Sequence, residues 1–296
     1  MDAFAIIFPD FACIALGVVL RRFLLTEERF WVGVERLVYF VLFPALLFRS
    51  LANAPFALGD AVMLIASGAL VMGVGFVLVF ALGRWVGDEP LAVASRAQCA
   101  YRFNTYIGMA VAQQAYGATG LAWMGVLCGA LVPLANVFAV GSMARRSPGG
   151  MRHLIANPLV LATVAGLLFH AVGGVVPQPV DALLARLAAA AVAIGLLAVG
   201  AALTPARDLV RSGGLIATIK LVVSPALAWL LGQWLALPPL PFAVLVLFAA
   251  LPSASSAYIL ASRMGGDGPG VARLISLTTV VSAVTLTFWL GLLATH

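Results

Sequence analysis

Polar side chains that could bind a ligand are concentrated in one otherwise apolar segment of the first half of the chain. The segment holds two cations and four amides, which are Arg96, Gln98, Arg102, Asn104, Gln113 and Gln114. A guanidinium flanked by amides presents N–H donors that suit a carboxylate. Gln98 precedes Arg102 by four residues and so shares its helix face. If Arg102 faces a cavity, the cluster predicts an organic-anion site.

A second segment combines a helix breaker with hydroxyl groups. Pro252 lies in the middle of an apolar run and is followed by Ser253, Ser255 and Ser256. A proline inside a helix removes a backbone hydrogen bond, and the freed groups need partners. Helix ends that point into a cavity carry partial charges, positive at N-termini and negative at C-termini. We therefore expect an interrupted helix whose ends bind a ligand.

The two arginines of the first segment have alternative locations. A charge at the centre of a bilayer costs about 2.5–3.5 kcal/mol on insertion scales, so it must reach water or face protein. Arg96 lies a turn or two inside its helix, which favours a side chain that extends to the cytoplasmic surface. Arg102 lies twelve residues beyond Pro90. It could line a cavity or extend to the same surface, and the sequence leaves both alternatives open.

The composition indicates the environment that positions these residues. Hydrophobic residues make up 63% of the 296 residues and charged residues 9%, and the mean hydropathy is +1.10. These values exclude a water-soluble domain and indicate helices that span a bilayer. Long runs that are apolar on every face exclude a β-barrel. The basic residues are scattered singly, which argues against a nucleic-acid partner, and no metal-ligand spacing is present.

Breaks of Gly, Pro and charge predict ten spans. They lie at 3–22, 32–52, 61–83, 91–115, 119–143, 155–173, 180–203, 213–236, 240–262 and 271–294. Connections that follow odd-numbered spans hold thirteen basic residues, counting Lys220 after the seventh span, and the other connections hold two. By the positive-inside rule the odd connections are cytoplasmic, which places both termini outside.

The chain also shows a hidden repeat. Pro9 and Gly17 recur as Pro158 and Gly166 at an offset of 149 residues, and Gly83 and Trp85 recur as Gly232 and Trp234. In the fourth and ninth spans an offset of 148 pairs Pro90 with Pro238, Asn104 with Pro252 and Gly117 with Gly265. Each half, 1–148 and 149–296, has five spans, so the second half must be inverted in the membrane. Inverted repeats are typical of secondary transporters, whose sites lie on interrupted helices near the midplane.

Three motifs resemble the auxin efflux carrier family. This family is part of the superfamily that also includes carriers like the bile-acid sodium symporters. The motifs are "YRFNTYIGMAVAQQAYG" in the fourth span, "LPSASSAYILASRMGGD" in the ninth and the opening "GVVLRRFLLTEERFWVGVERLVYFVLFPALLFRSLA". The resemblance covers nearly the whole chain. It implies an all-α membrane fold of ten helices in a five-plus-five inverted repeat, with crossed, broken fourth and ninth helices between scaffold and transport subdomains.

The resemblance also implies a substrate site at the crossover. Carried over by position, its residues are Asn104, Thr105, Ile107, Gly108, Pro252, Ser253, Ser255 and Ser256. The polar pattern of the segment itself adds Arg102 and Gln98 to the expected site, with Asn136, Gln113 and Tyr258 as further candidates. The implied substrates are auxin, malonate or other small carboxylates. This chain has Met109 and Ala110 after Gly108, where the family usually has a proline, and Ser255 or Ser256 where relatives have an asparagine.

The favoured function is therefore secondary transport or export of a small organic anion by alternating access. The alternatives are a sodium-coupled symporter of a larger organic anion and, less favoured, a channel or sensor. The motifs of intramembrane enzymes are missing from the sequence, so an enzyme is not expected. No cofactor or bound metal is expected, and coupling to Na⁺ or H⁺ is left open. Expected partners are the anion, the lipid of a bacterial inner membrane and, as one option, a second copy in a homodimer.

Overall fold

The computed structural model describes residues 3–53, 58–83, 89–143, 158–203, 212–254 and 256–295. The predicted boundary between the two halves at residue 148 and the candidate site residue Ser255 lie outside these ranges. The described part of the chain is helical and contains no strand. Its α-helices are α1 Ala3–Val19, α2 Glu28–Leu37, α3 Phe43–Ala52, α4 Leu58–Gly83, α5 Pro90–Tyr101, α6 Thr105–Met143, α7 Pro158–Ala171, α8 Gln178–Ala201, α9 Ser212–Thr218, α10 Ser224–Trp234, α11 Pro239–Ala250, α12 Ser256–Arg263 and α13 Gly268–Thr295. π-helical turns at Leu20–Leu24, Val38–Leu42 and Ile219–Val223 extend α1 and join α2 to α3 and α9 to α10.

Seven helical stretches of the described chain are long and apolar enough to cross a membrane. They are Ala3–Leu24, Glu28–Ala52, Ala61–Leu82, Pro90–Met143, Gln178–Ala201, Gly213–Trp234 and Gly268–Thr295. Shorter apolar helices, Leu161–Ala171 and Pro239–Ala250, lie where the sixth and ninth spans are predicted. The chain is therefore a multi-pass membrane protein, as its composition predicts, and the full count of ten spans stays a prediction.

The longest stretch, Pro90–Met143, does not cross the membrane as one rod. Gly117 lies within α6 with φ +63° and ψ −155°, a backbone conformation essentially limited to glycine. A Cβ atom built on Gly108 would lie 3.4 Å from the Met124 sulfur, whereas about 24 Å of continuous helix would separate these two residues. The chain therefore doubles back at Gly117 into two antiparallel segments, which correspond to the end of the fourth predicted span and to the fifth.

The ninth predicted span is also two helices. α11 ends at Ala250 and α12 begins at Ser256, with non-helical residues from Leu251 between them. α5 and α11 are both twelve residues long and both begin with a proline, at offset 149. The helices before the two breaks therefore align at 149 residues, not at the predicted 148. The predicted offset of 148 relates Gly117 to Gly265, which both have positive φ.

The closest helix packing joins the two halves of the chain through small residues. α1 packs against α8, and α3 packs against α7. Gly17 of α1 meets the backbone carbonyl of Leu197, which leaves no room for a Cβ atom. A Cβ on Gly166 of α7 would lie 3.0 Å from the carbonyl oxygen of Phe48. Glycine allows such close approach of two backbones in membrane helices, and the two contacts are related by the same offset of 149 residues.

Lys220 does not lie in a connection, and its assignment to the seventh connection was wrong. It belongs to the π-helical turn inside the stretch Gly213–Trp234 and is 3% exposed. Its Nζ donates a hydrogen bond to the Ala249 carbonyl oxygen at 3.1 Å. The sequence pattern misassigned it because the positive-inside rule treats any single cation between apolar runs as a marker of topology. Without Lys220, the connections after odd-numbered spans still hold far more basic residues than the other connections.

Candidate functional site

The first helix break is organised by Asn104. α5 ends at Tyr101, and Arg102 is extended with φ −73° and ψ 156°. The side-chain oxygen of Asn104 accepts hydrogen bonds from the backbone amides of Tyr106 at 3.0 Å and Ile107 at 3.2 Å. Asparagine is among the preferred helix N-caps because its side chain satisfies amides that have no partner within the helix. Asn104 therefore restarts the helix after the three-residue interruption.

The second break follows from Pro252. Leu251 is extended with φ −60° and ψ 143°, because a proline disfavours the helical conformation of the residue before it. The backbone amide of Ser253 donates to the Thr278 hydroxyl of α13 at 3.3 Å. Pro252 and Ser253 are buried. The break is thus buried in the protein. Its Ser253 amide, which has lost its acceptor in the broken helix, bonds to a side chain of α13 instead.

The two breaks touch each other. The backbone amide of Asn104 donates a hydrogen bond to the Pro252 carbonyl oxygen at 2.8 Å. Gly108 faces the same place, since a Cβ built on it would lie 2.7 Å from a methyl carbon of Leu251. Backbone groups released by interruption of one helix are therefore satisfied by the other, as buried backbone groups must be. Residues 148 positions apart meet at one point.

Arg102 extends from this meeting point to two other helical segments. It is 4% exposed, so it does not extend to the cytoplasmic surface. Its guanidinium donates from Nη1 to the Ser256 hydroxyl at 3.1 Å and from Nη2 to the Asn136 side-chain oxygen at 2.8 Å. Ser256 begins α12 and is exposed, and Asn136 lies in the second arm of α6. The hydrogen bonds of the guanidinium therefore join the first break to the start of α12, just after the second break, and to the part of α6 that follows Gly117.

Several polar atoms around the breaks have no hydrogen-bond partner. Among the described residues they include Oε1 of Gln98, Nε of Arg102 and Oγ of Ser253, all of which are buried. Buried polar groups without partners are uncommon in folded proteins, and each needs an explanation such as a missing ligand or water. Three of them in and around two touching breaks give this region unused capacity for hydrogen bonding.

The electrostatics of the region favour an anion. The N-terminal ends of α6 and α12 carry partial positive charge at the two breaks, beside the guanidinium of Arg102. No carboxylate among the described residues forms an ion pair with Arg102. By contrast, Arg96 pairs with Asp267 through Nε and a carboxylate oxygen at 2.5 Å, with 11% of its side chain exposed. The fixed charge left at the breaks is positive.

The remaining predicted residues divide into two groups. Thr105, Ile107 and Gly108 form the first turn of α6 at the break, and the Ile107 side chain is fully buried. Gln113 is exposed close to the Gly117 reversal, and the Tyr258 side chain of α12 is 45% exposed. The structure gives neither of these two a contact with Arg102 or Asn104. Ser255 cannot be placed, because it lies outside the described residues.

Three contributors to the region were not singled out or were given little weight. Thr278 and Lys220 were not predicted as site residues, and Asn136 was only a further candidate. Asn136 follows Pro133 in an apolar run, and Lys220 is the only lysine of the chain. An isolated polar residue in the interior of a span is the signal that could have identified both. Groups of three or more His, Cys, Asp or Glu that could hold a metal are absent from the described residues.

Known proteins resemble this chain along most of its length. A family model described as "Membrane transport protein" matches residues 142–290. A "Putative malonate transporter" of Rhizobium meliloti is 26% identical over 307 aligned residues, which cover 95% of this chain and 93% of that protein. An "Uncharacterized transporter" of Methanothermobacter thermautotrophicus is 25% identical over 285 residues, which cover 93% of each. The family match includes the second helix break and most of α13.

Proposed function

Because the chain belongs to the auxin efflux carrier family of membrane transport proteins, we propose that it is a secondary transporter that moves a small carboxylate across the membrane by alternating access. Membership of this family makes it a transporter and not an enzyme. The observation that carries the proposal is the position of Arg102. Its guanidinium lies where two broken helices touch, and no carboxylate of the described chain neutralises it.

The helix breaks supply the rest of the site. A carboxylate at this position would accept hydrogen bonds from the guanidinium and lie near the positive ends of α6 and α12. Asn104 and Gln98 add amide groups, and Ser253 and Ser256 add hydroxyls. In transporters with interrupted helices, half-helix N-termini point at anionic groups of the substrate in the same way. We place the substrate here, between the breaks at Asn104 and Pro252.

Similarity to relatives bears on the substrate. The Rhizobium meliloti relative is named for malonate, a small dicarboxylate. That name belongs to the relative. It agrees with the chemistry of Arg102, since a guanidinium binds a carboxylate through two parallel hydrogen bonds. Small mono- and dicarboxylates are therefore the first compounds to test.

We also propose that the fold is a ten-span inverted repeat with crossed fourth and ninth helices. The contacts of Gly17 with Leu197 and of Gly166 with Phe48 support this arrangement. Exchange of the two halves turns one contact into the other, because both pairs of positions differ by 149 residues. Gly117 and Gly265, both with positive φ, end the two broken helices in corresponding places. Two related halves that pack face to face give a transporter two equivalent states.

The orientation of the protein in the membrane is part of the same proposal. The bias of basic residues supports termini that both lie outside the cytoplasm, and the membrane that we infer is a bacterial inner membrane. Arg49 and Asp181, whose connections are predicted to be external, pair at 2.8 Å, which fits ends that lie on the same side of the membrane. Arg96 and Asp267 pair near the predicted cytoplasmic side.

Exchange in proteoliposomes tests the proposed function. The purified chain is reconstituted with an unlabelled carboxylate inside, and entry of the same radiolabelled carboxylate is followed for mono-, di- and tricarboxylates. Faster exchange of at least one small carboxylate than in protein-free liposomes is expected. Absence of exchange for the whole panel, in liposomes where correct reconstitution is verified, would reject a carboxylate substrate. Currents of single-channel size would instead indicate a channel.

A further inference from the structure

Lys220 is a buried lysine that the proposed anion site does not use. It is 3% exposed, and its Nζ donates to the Ala249 carbonyl oxygen at 3.1 Å. None of the carboxylates in the described chain forms an ion pair with it. A buried ammonium of this kind is costly and requires compensation. The compensation comes from the helix end that it contacts.

Ala249 lies in the last turn of α11, immediately before the second break. The last four carbonyls of a helix have no partner within the helix and carry the negative end of the helix dipole. In transporters with broken helices, such C-terminal half-helix ends and unwound carbonyls coordinate the coupling cation. The ammonium of Lys220 therefore occupies the kind of position where a small cation would otherwise bind.

The backbone around Lys220 has an unusual conformation that lets its side chain reach the end of α11. Ile219–Val223 is a π-helical turn, and the Ser224 hydroxyl donates to the Ile219 carbonyl oxygen at 2.8 Å. π-helical turns are rare and are frequent at functional sites. The turn contacts both α5 and α11, the two helices that end at the breaks. The turn that carries Lys220 thus packs against both broken helices, and its Nζ contacts the end of α11.

The other half of the protein has no such cation at the corresponding place. The repeat relates Ala249 to Ala100 of α5 and Lys220 to Val71 of α4, both at offset 149. The Ala100 carbonyl oxygen faces Gly75, where a built Cβ atom would lie 3.4 Å from it. Only the end of α11 therefore has an ammonium, and the asymmetry indicates a specific role for Lys220.

We propose that the Lys220 ammonium is a tethered cation that takes the place of a coupling sodium ion at the end of α11, so that this transporter works without sodium. The inference rests on the proposed function, whose ion requirement it specifies. Lys220 acts here as a positioning residue: it holds the end of α11 at the second break and is not expected to touch the substrate. Removal of the ammonium should create a vacant site for a small cation.

Thermal unfolding of the full chain in detergent tests this without a substrate. Wild-type protein and Lys220→Ala are compared in sodium chloride and in choline chloride at equal ionic strength. The wild-type midpoint should be the same in both salts. In choline chloride, Lys220→Ala should unfold at a lower temperature than the wild type. Sodium chloride should raise the unfolding midpoint of Lys220→Ala by about 3 °C or more, because an ion that binds only the folded state stabilises it.

Two further variants keep the test decisive. Lys220→Gln retains most of the side-chain volume, so it serves if the alanine variant does not fold, and it should also gain stabilisation by sodium. Arg22→Ala removes an exposed cation and should show no gain. Stabilisation of the wild type by sodium, or insensitivity of both Lys220 variants to sodium, would overturn the proposal. Because no carboxylate is added, these outcomes are independent of whether the proposed substrate class is correct.

An uptake measurement adds a second outcome. For any carboxylate that the wild type exchanges, replacement of sodium by choline on both sides of the proteoliposome should leave the rate unchanged within about twofold. A rate that falls at least tenfold on removal of sodium would overturn the tethered-cation role and favour a sodium-coupled symporter.

Discussion

The backbone amide of Asn104 donates to the carbonyl oxygen of Pro252, and this 2.8 Å hydrogen bond joins two helix interruptions that are far apart in the sequence. Each interruption exposes backbone groups that a membrane interior would not tolerate unless they were paired. The pairing fixes the two breaks against each other and positions Arg102 between α12 and the second arm of α6. An interruption that would be costly in a single helix is stabilised here because two of them pair.

Removal of the Asn104 cap should destabilise the protein. In Asn104→Ala the amides of Tyr106 and Ile107 lose their acceptor, which costs about 0.5–2 kcal/mol for an N-cap. Asn104→Ser keeps an N-cap oxygen and should lose less. The measurement is the thermal unfolding midpoint of the two variants in the same detergent. Equal midpoints for the alanine and serine variants would show that the cap is not important.

Substitution of Gly17 should disrupt the contact between α1 and α8. A Cβ atom in Gly17→Ala would collide with the backbone carbonyl of Leu197, which cannot move without a shift of the whole helix. Gly73→Ala in α4 is the matched control, because nothing lies within 4 Å of its Cβ position. The control should be neutral or stabilised by up to about 1 kcal/mol. A Gly17→Ala variant as stable as the control would contradict the close packing.

The orientation proposal predicts which connections are accessible from outside the cell. In a background without Cys13, Cys99 and Cys128, cysteine is introduced in place of Val175, which is 86% exposed between α7 and α8, or of Arg29 at the start of α2. A membrane-impermeant maleimide should label Val175→Cys in cells with a permeable outer membrane and label Arg29→Cys only after lysis. The opposite pattern would reverse the topology.

Much of the fold could be predicted from the sequence, because a membrane restricts the choice to helices. Pro252 predicted the second interruption and the family resemblance implied the first, and the backbone is non-helical at both places. The sequence could not decide the location of Arg102, because helical periodicity gives the face of a residue but not what covers that face. The covering groups, Asn136 and Ser256, are 34 and 154 residues further along the chain.

Other residues were interpreted incorrectly or incompletely for physical reasons. Lys220 was counted as a topology signal, since a lone cation between apolar runs has the same pattern whether it lies in a loop or in a buried turn. Gln113 and Tyr258 were candidates because of their residue types, and the structure leaves both exposed. The offset in the broken pair is 149 where the first helices end, 151 where the helices resume at Thr105 and Ser256, and 148 at Gly117 and Gly265, because the second interruption is longer and the helix after it is shorter.

The measurement that tests the central claim most directly is carboxylate exchange by Arg102→Gln in proteoliposomes. Loss of a charge-assisted hydrogen bond costs about 1.5–3 kcal/mol, so the apparent affinity should fall by about 10- to 150-fold. The variant Arg22→Gln, which removes an exposed cation, should exchange at the wild-type rate. If Arg102→Gln folds, reconstitutes and exchanges the same carboxylate with unchanged affinity, Arg102 does not bind the anion and the assigned site is wrong.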